Sequence, residues 1–214
     1  MTKPLASASA TYSLWDDAED AAMRAAANIP ANAPADLSAD ASARTPSRQA
    51  LRKLAPRVYN AVIDAPFGKV GIVTSADGVR EIHYLPASTP GVAPDSALAE
   101  LAAAQIARYL DDASASFDLP LASPGTAFQR RVWDGICSIG AGAVLTYGEL
   151  AQRVGSISAR AVGQACGSNY LPIVIPCHRV VAASGIGGFN HHGGDGFFRD
   201  VKRWLLAHEG VRIR

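Results

Sequence analysis

The spacing of apolar and polar positions changes character twice along the chain. Up to about residue 50 there is no apolar period. "ANIPANAPADLSADASARTPS" mixes alanine, proline and small polar residues and holds nothing that builds a core. These fifty residues contain sixteen alanines, four prolines and no glycine, and they predict a mobile extension. One helix is expected inside it, over "SLWDDAEDAAMRAAA", with Ser13 as cap and acidic residues in its first turns. From 51 to 120 the pattern shortens. "RVYNAVIDAP", "KVGIVTS" and "VREIHYL" are β-branched or aromatic-rich runs, broken at Phe67-Gly68 and at Ala76-Asp77-Gly78. They predict a small antiparallel meander. "DSALAELAAAQIARYLDD" then reads as an amphipathic helix capped by Asp95 or Ser96, with Leu98, Leu101, Ile106, Tyr109 and Leu110 on one broad face. "DLPLASPG" reads as a linker.

From 121 to 214 the period is helical. "TAFQRRVWDGICSI" places Phe128, Val132, Trp133 and Ile136 at helical spacing, and "GAGAV" interrupts it. "TYGELAQRV" is a short helix with Thr146 as cap and Glu149 in capping-box register; Gly155 stops it. "SISARAVGQACGSN" is a second short helix, capped by Ser156 or Ser158. Two short helices joined by a tight Gly-Ser turn have the outline of a helix-turn-helix. The second carries small residues along one side: Ala161, Gly163, Ala165, Gly167 and Ser168. That side fits either a neighbouring helix or a nucleic-acid groove.

Charge adds little for the whole chain, whose formal net charge is +1, but its distribution is uneven. Residues 121–214 hold ten Lys/Arg against five Asp/Glu, whereas the two preceding stretches are each net −2. The C-terminal part is therefore the place for a polyanion, although a solvated face explains the excess almost as well. The three cysteines, Cys137, Cys166 and Cys177, are an odd number without C-x-x-C spacing. A disulfide framework and a zinc ribbon are both unsupported. No apolar run is long enough to span a membrane, and the N-terminus lacks the order of a secretory signal. A reduced, cytoplasmic protein without membrane association is expected.

One stretch carries candidate chemistry: "IPCHRVV", residues 175–181. A thiolate is the nucleophile, and a free thiol near pKa ~8.5 stays mostly protonated at neutral pH without a base beside it. His178 is adjacent, but neighbours on an extended strand face opposite ways. Contact therefore requires a turn or a bridging water, and Pro176 favours a turn. A histidine base needs a third group to orient it, and Glu209, at the end of "DVKRWLLAHEG", is the candidate. A carboxylate there opposes the helix dipole, so another contact must account for it. The competing reading is a small buried hydrophobe at position 177.

"TAFQRRVWDGICSI", "TYGELA", "ARAVGQACGSN", "LPIVIPCHRVV" and "VKRWLLAHEG" together, in this order and spacing, resemble the O6-alkylguanine-DNA alkyltransferases, the methylated-DNA–protein-cysteine methyltransferases. The resemblance is strong over 121–214, weak over 58–120 and absent from 1–50. It implies an α+β fold: a small N-terminal antiparallel sheet with a helix, ribonuclease H-like, over 51–120, then a mostly helical winged helix-turn-helix domain over 121–214 that carries the active site. It implies direct DNA repair, in which Cys177 takes the alkyl group from O6-alkylguanine in duplex DNA once and keeps it. His178, through a water, and Glu209 would draw off the thiol proton, and Asn169 would brace the turn. Tyr147 would donate to guanine N3, and Arg160 would fill the hole left by the flipped base. Ala161, Gly163, Gln164 and Gly167 would line the DNA-binding helix, seated in the minor groove. No cofactor or metal is implied, and the protein would act as a monomer.

Two features depart from the family's pattern. The loop "GIGGFNHHGGDGFFRD" is longer than usual, so its contacts do not transfer, and His191 and His192 either line the pocket or are solvated. No cysteine precedes Cys137, which leaves an N-terminal zinc site unsupported. The rival functions are a non-reactive alkyl-lesion sensor, against which the presence of Cys177 counts, and a turnover Cys-His hydrolase.

Overall fold

The alternating runs form a three-stranded antiparallel sheet in the order β1 (Ala61–Ala65), β2 (Gly68–Ser75), β3 (Gly78–Leu85). The computed structural model describes residues 58–122 and 125–212; the readings made for residues 1–50 lie outside them. Ala61 pairs with Ile72 and Ile72 with Ile82, while Val70 pairs with Tyr84. All five are buried, so the period-2 face points inward. Two-residue turns join the strands. Gly78 follows one of them at φ +146°, where a Cβ would lie 2.5 Å from the Pro120 carbonyl oxygen, so only glycine fits. The segment after the sheet's helix runs beside β3 there, with Val79 N–H bonded to Pro120 O at 2.8 Å.

Helix α1 (Ala97–Asp111) covers the sheet, and Ser96, not Asp95, caps it by accepting from Ala99 N–H. The helix buries Ala99, Ala102, Ala103, Ile106, Tyr109 and Leu110. Leu101 departs from the expected face and is 44% exposed. At 100° per residue it lies across the helix from Ala99, and the alanine stripe takes the sheet contact instead.

Helix α2 (Ala127–Cys137) starts on a Thr126–Gln129 capping box and buries Val132, Trp133 and Ile136. Phe128 is only half-buried and carries the Arg131 guanidinium over its ring. Helices α3 (Tyr147–Arg153) and α4 (Ala159–Gly167) follow, with Thr146 and Ser158 as their caps; Thr146 and Glu149 form the expected box. The parallel pair β4 (Leu145–Thr146) and β5 (Val180–Val181) ties the start of α3 to the chain just past Arg179. Helix α5 (Phe197–His208) closes the described chain, and Gly210 beyond it takes φ +79°. Mixed α/β architecture with a small antiparallel sheet and several helices is therefore observed. Among the described residues no helix is long and apolar enough to cross a membrane.

Candidate active site

Chain geometry between α4 and β5 aims the cysteine. Asn169 follows the C-cap of α4, and its Oδ1 accepts from Leu171 N–H at 2.9 Å. Ile175 N–H reaches back to Leu171 O at 2.8 Å, closing a turn in which Ile173 sits at φ +76°. A buried β-branched residue in the left-handed region costs on the order of 1–3 kcal/mol, so its surroundings must enforce it. Asn169 is part of that enforcement: its Nδ2 donates to Ile175 O at 2.8 Å and to Cys177 Sγ at 3.2 Å. Cys177–Arg179 then form one 3₁₀ turn, which sends neighbouring side chains in different directions.

Behind Cys177, His178 is fully buried. Its Nε2 lies 2.8 Å from Glu209 Oε1, and its Nδ1 is buried with no hydrogen-bond partner among the described residues. Arg179 clasps Glu209 with two bonds, Nε to Oε2 at 2.9 Å and Nη2 to Oε1 at 2.8 Å, and its Nη1 donates to the Ile139 carbonyl. This clasp, together with His178, supplies the contact that a carboxylate at the end of α5 required. Tyr109, from α1, donates its hydroxyl to the same Oε1 at 2.7 Å. Burial pushes the Glu209 carboxyl up, but the bonds from His178, Arg179 and Tyr109 outweigh it and hold the group well below the usual carboxylate range. Burial keeps His178 below its ordinary value against the pull of Glu209. A neutral imidazole that donates from Nε2 leaves Nδ1 as an acceptor. Burial also raises the Cys177 thiol, opposed by the Asn169 bond and by the nearby Lys202 ammonium.

Cys177 opens on a cavity of about 230 Å³ whose wall includes Tyr147, Gly163, Gln164, Cys166, Gly167 and Phe189. That is below the range of about 300–1,000 Å³ typical for drug-sized ligands and suits something the size of one heterocycle. Tyr147 directs its hydroxyl to Gly188 O at 3.2 Å. The small residues of α4 divide. Ala165 is buried and its carbonyl takes the Trp133 indole N–H at 2.9 Å, whereas Gly163 and Gly167 face the cavity. A Cβ at Gly167 would lie 2.6 Å from His191 Nδ1. His191 and His192 both border the cavity while staying exposed, and His192 stacks on Phe198 with centroids 4.5 Å apart. Arg160 and Gln164 are exposed and Ala161 half-exposed along α4.

The structure thus brings together Cys177, Asn169, His178 and Glu209, sets Tyr147, Gly163, Gln164 and Gly167 around the cavity, and leaves Arg160 and Ala161 outside its wall. Three neighbours escaped the sequence reading: Tyr109, the Arg179 clasp, and Lys202. Lys202 is wholly buried, donates to Val180 O at 2.7 Å and Gly188 O at 3.0 Å, and lies over the rings of Tyr147 and Phe189. A signal for it existed. Lys202, Leu205, Leu206 and Glu209 repeat at the helical i, i+3, i+4, i+7 spacing, so two charged residues share the buried stripe of α5.

The chain is 33% identical over 160 residues to the methylated-DNA–protein-cysteine methyltransferase of Methanosarcina acetivorans, covering 72% of this chain and 99% of that one. This chain belongs to the methylated-DNA–protein-cysteine methyltransferase family. The rat methyltransferase is 34% identical, over 70% of this chain and 81% of its own. The crystal structure of the Mycobacterium tuberculosis O6-methylguanine methyltransferase superposes with a TM-score of 0.57 at 34% identity, covering 69% of this chain and 90% of that one. The same enzyme has been solved in complex with DNA. Residues 127–211 match the family of the 6-O-methylguanine DNA methyltransferase DNA-binding domain. Within this methyltransferase, every cavity residue named above falls inside that range; Tyr109 lies before it.

Proposed function

We propose that this methyltransferase repairs DNA directly, moving the alkyl group of O6-alkylguanine in a duplex onto Cys177 in one event per molecule. The observation that carries this reading is Cys177 Sγ at the edge of a base-sized cavity, held by Asn169, with the buried His178–Glu209 pair behind it. His178 Nδ1 takes the thiol proton through a water. The sulfur–carbon bond forms as the carbon–O6 bond breaks, and the bonding pair returns to the purine. Tyr147 turns its hydroxyl from Gly188 to guanine N3, so the purine does not leave as an anion. Asn169 braces the turn. The thioether has no route to cleavage at this site, so the protein is spent.

O6 is buried in the stacked duplex, so the base must flip, at a cost of a few kcal/mol that is smallest for a weakened pair. Arg160, exposed on the first turn of α4, fills the gap. Ala161, Gly163, Gln164 and Gly167 let α4 lie close to the minor groove as the recognition helix. We read residues 51–120 as a ribonuclease H-like domain and 121–214 as a winged helix-turn-helix domain. The protein works as a cytoplasmic monomer and needs no metal or organic cofactor. Intact-mass spectrometry after mixing with duplex containing O6-methylguanine tests the reading. One methyl on the Cys177 peptide is expected, with none in Cys177→Ala, which still binds DNA. Tight binding without mass change indicates a lesion sensor, and product beyond one equivalent indicates a hydrolase; either overturns the proposal.

A further inference from the structure

We propose that Tyr109 is a positioning residue for the transfer: its hydroxyl, delivered by α1, shares the Glu209 carboxylate with His178 and so limits how tightly His178 holds a proton. The inference rests on the repair reading and adds to it a residue from outside the matched DNA-binding domain. Tyr109 is 1% exposed, and its hydroxyl donates to Glu209 Oε1 at 2.7 Å and lies 3.5 Å from His178 Nε2. The ring is fixed on both sides, by Phe117 with centroids 5.7 Å apart and by His208 edge-on at 5.5 Å. His208 Nε2 also bonds the Tyr109 carbonyl at 2.7 Å. Burial and the neighbouring Glu209 push the phenol far up, so it stays protonated and acts on the carboxylate as a donor.

Three donors therefore converge on Oε1: Tyr109, His178 and Arg179. A carboxylate divided among three donors attracts each less strongly than one divided between two. Arg179 alone already holds both oxygens, so removal of the phenol oxygen leaves Glu209 in place while redirecting its charge toward His178. His178 then binds a proton more tightly and acts as an empty base only at higher pH. The other groups that face this pair are unchanged by the substitution: the cationic Arg179 and Lys202, the thiol of Cys177, Tyr84 from β3, and His208 against the Tyr109 ring.

Tyr109→Phe keeps the ring contacts and removes one oxygen. The test follows iodoacetamide alkylation of Cys177, read on its peptide by mass spectrometry from pH 5 to 9, alongside thermal unfolding and single-turnover methyl transfer. The acid limb of both rate profiles is expected to move up by about half to one pH unit, which slows the reaction roughly three- to tenfold on that limb and little above it. A purely packing role lowers thermal stability without moving the limb, and an unmoved or downward limb overturns the proposal. If the Phe variant does not fold, 3-fluorotyrosine at position 109 replaces it. A stronger donor must move the limb down, and a limb that stays put overturns the proposal equally. Because alkylation needs no DNA, the two readings fail separately: wild-type protein that takes no methyl from DNA overturns the repair reading, and an unmoved limb overturns this one.

Discussion

Asn169→Ala tests how the cysteine is held. The substitution deletes three hydrogen bonds: Nδ2 to Ile175 O, Nδ2 to Cys177 Sγ, and Leu171 N–H to Oδ1. Leu171 is fully buried, so its stranded N–H does not simply turn to water, whereas the Ile175 carbonyl keeps the bond from Cys177 N–H at 2.7 Å. An unsatisfied buried backbone group costs about 1–3 kcal/mol and the lost second bond to the carbonyl about 0.5–1.5 kcal/mol, which gives a loss of about 1.5–4.5 kcal/mol. For a chain of this size that lowers Tm by on the order of 3–18 °C. The sulfur contact is a separate effect. A hydrogen bond to a charged acceptor contributes about 1.5–3 kcal/mol, so its loss moves the Cys177 thiol up and slows alkylation roughly ten- to a hundredfold where the thiol is protonated. Burial already raises it and the Asn169 bond opposes that rise, so removal pushes the same way as burial. Calorimetry measures the first effect, and the height of the Cys177 alkylation profile above its acid limb measures the second. Asn169→Asp keeps the acceptor for Leu171, loses both donors and sets a like charge beside the thiolate, so its thiol shift is larger. An alkylation profile unchanged in Asn169→Ala refutes the sulfur contact, and an unchanged Tm refutes the bracing of the turn.

Two further outcomes follow from charge. Burial lowers Lys202 from 10.5 to about 8, so between those values the unfolded chain binds the extra proton and stability from this group rises with pH. Wild type is expected to gain about 3 kcal/mol relative to Lys202→Met between pH 7 and 10.5, read from urea unfolding of both proteins; a constant gap refutes it. Arg160→Ala is expected to slow methyl uptake from duplex DNA more than from the free base O6-methylguanine, in single-turnover assays. Equal losses on both substrates contradict the gap-filling role.

Much of the scaffold was legible because local rules decided it. The alternation in "KVGIVTS" and "VREIHYL" marked β2 and β3, and Thr146 with Glu149 marked the start of α3. Leu101 was misread because a broad apolar face was expected where α1 uses alanines to sit close to the sheet. At the site, Cys177, His178 and Glu209 were legible from their residue types and placement, and Asn169 only through the family resemblance. The Tyr109 contact was not legible. It joins residues 100 positions apart, and only the packing of α1 against the end of α5 creates it. Lys202 was overlooked although its place on the α5 stripe was readable, because a lysine is expected at a surface. The direction of Ile173 was also hidden, since no local preference puts a β-branched residue at positive φ.

The carbonyl of Gly188 is moored twice, to the Tyr147 hydroxyl and to the Lys202 ammonium. Under the proposed transfer, in which Tyr147 turns from this carbonyl to the base, the second line still holds, so the reading requires the wall beside the chamber to keep its shape while the tyrosine changes allegiance.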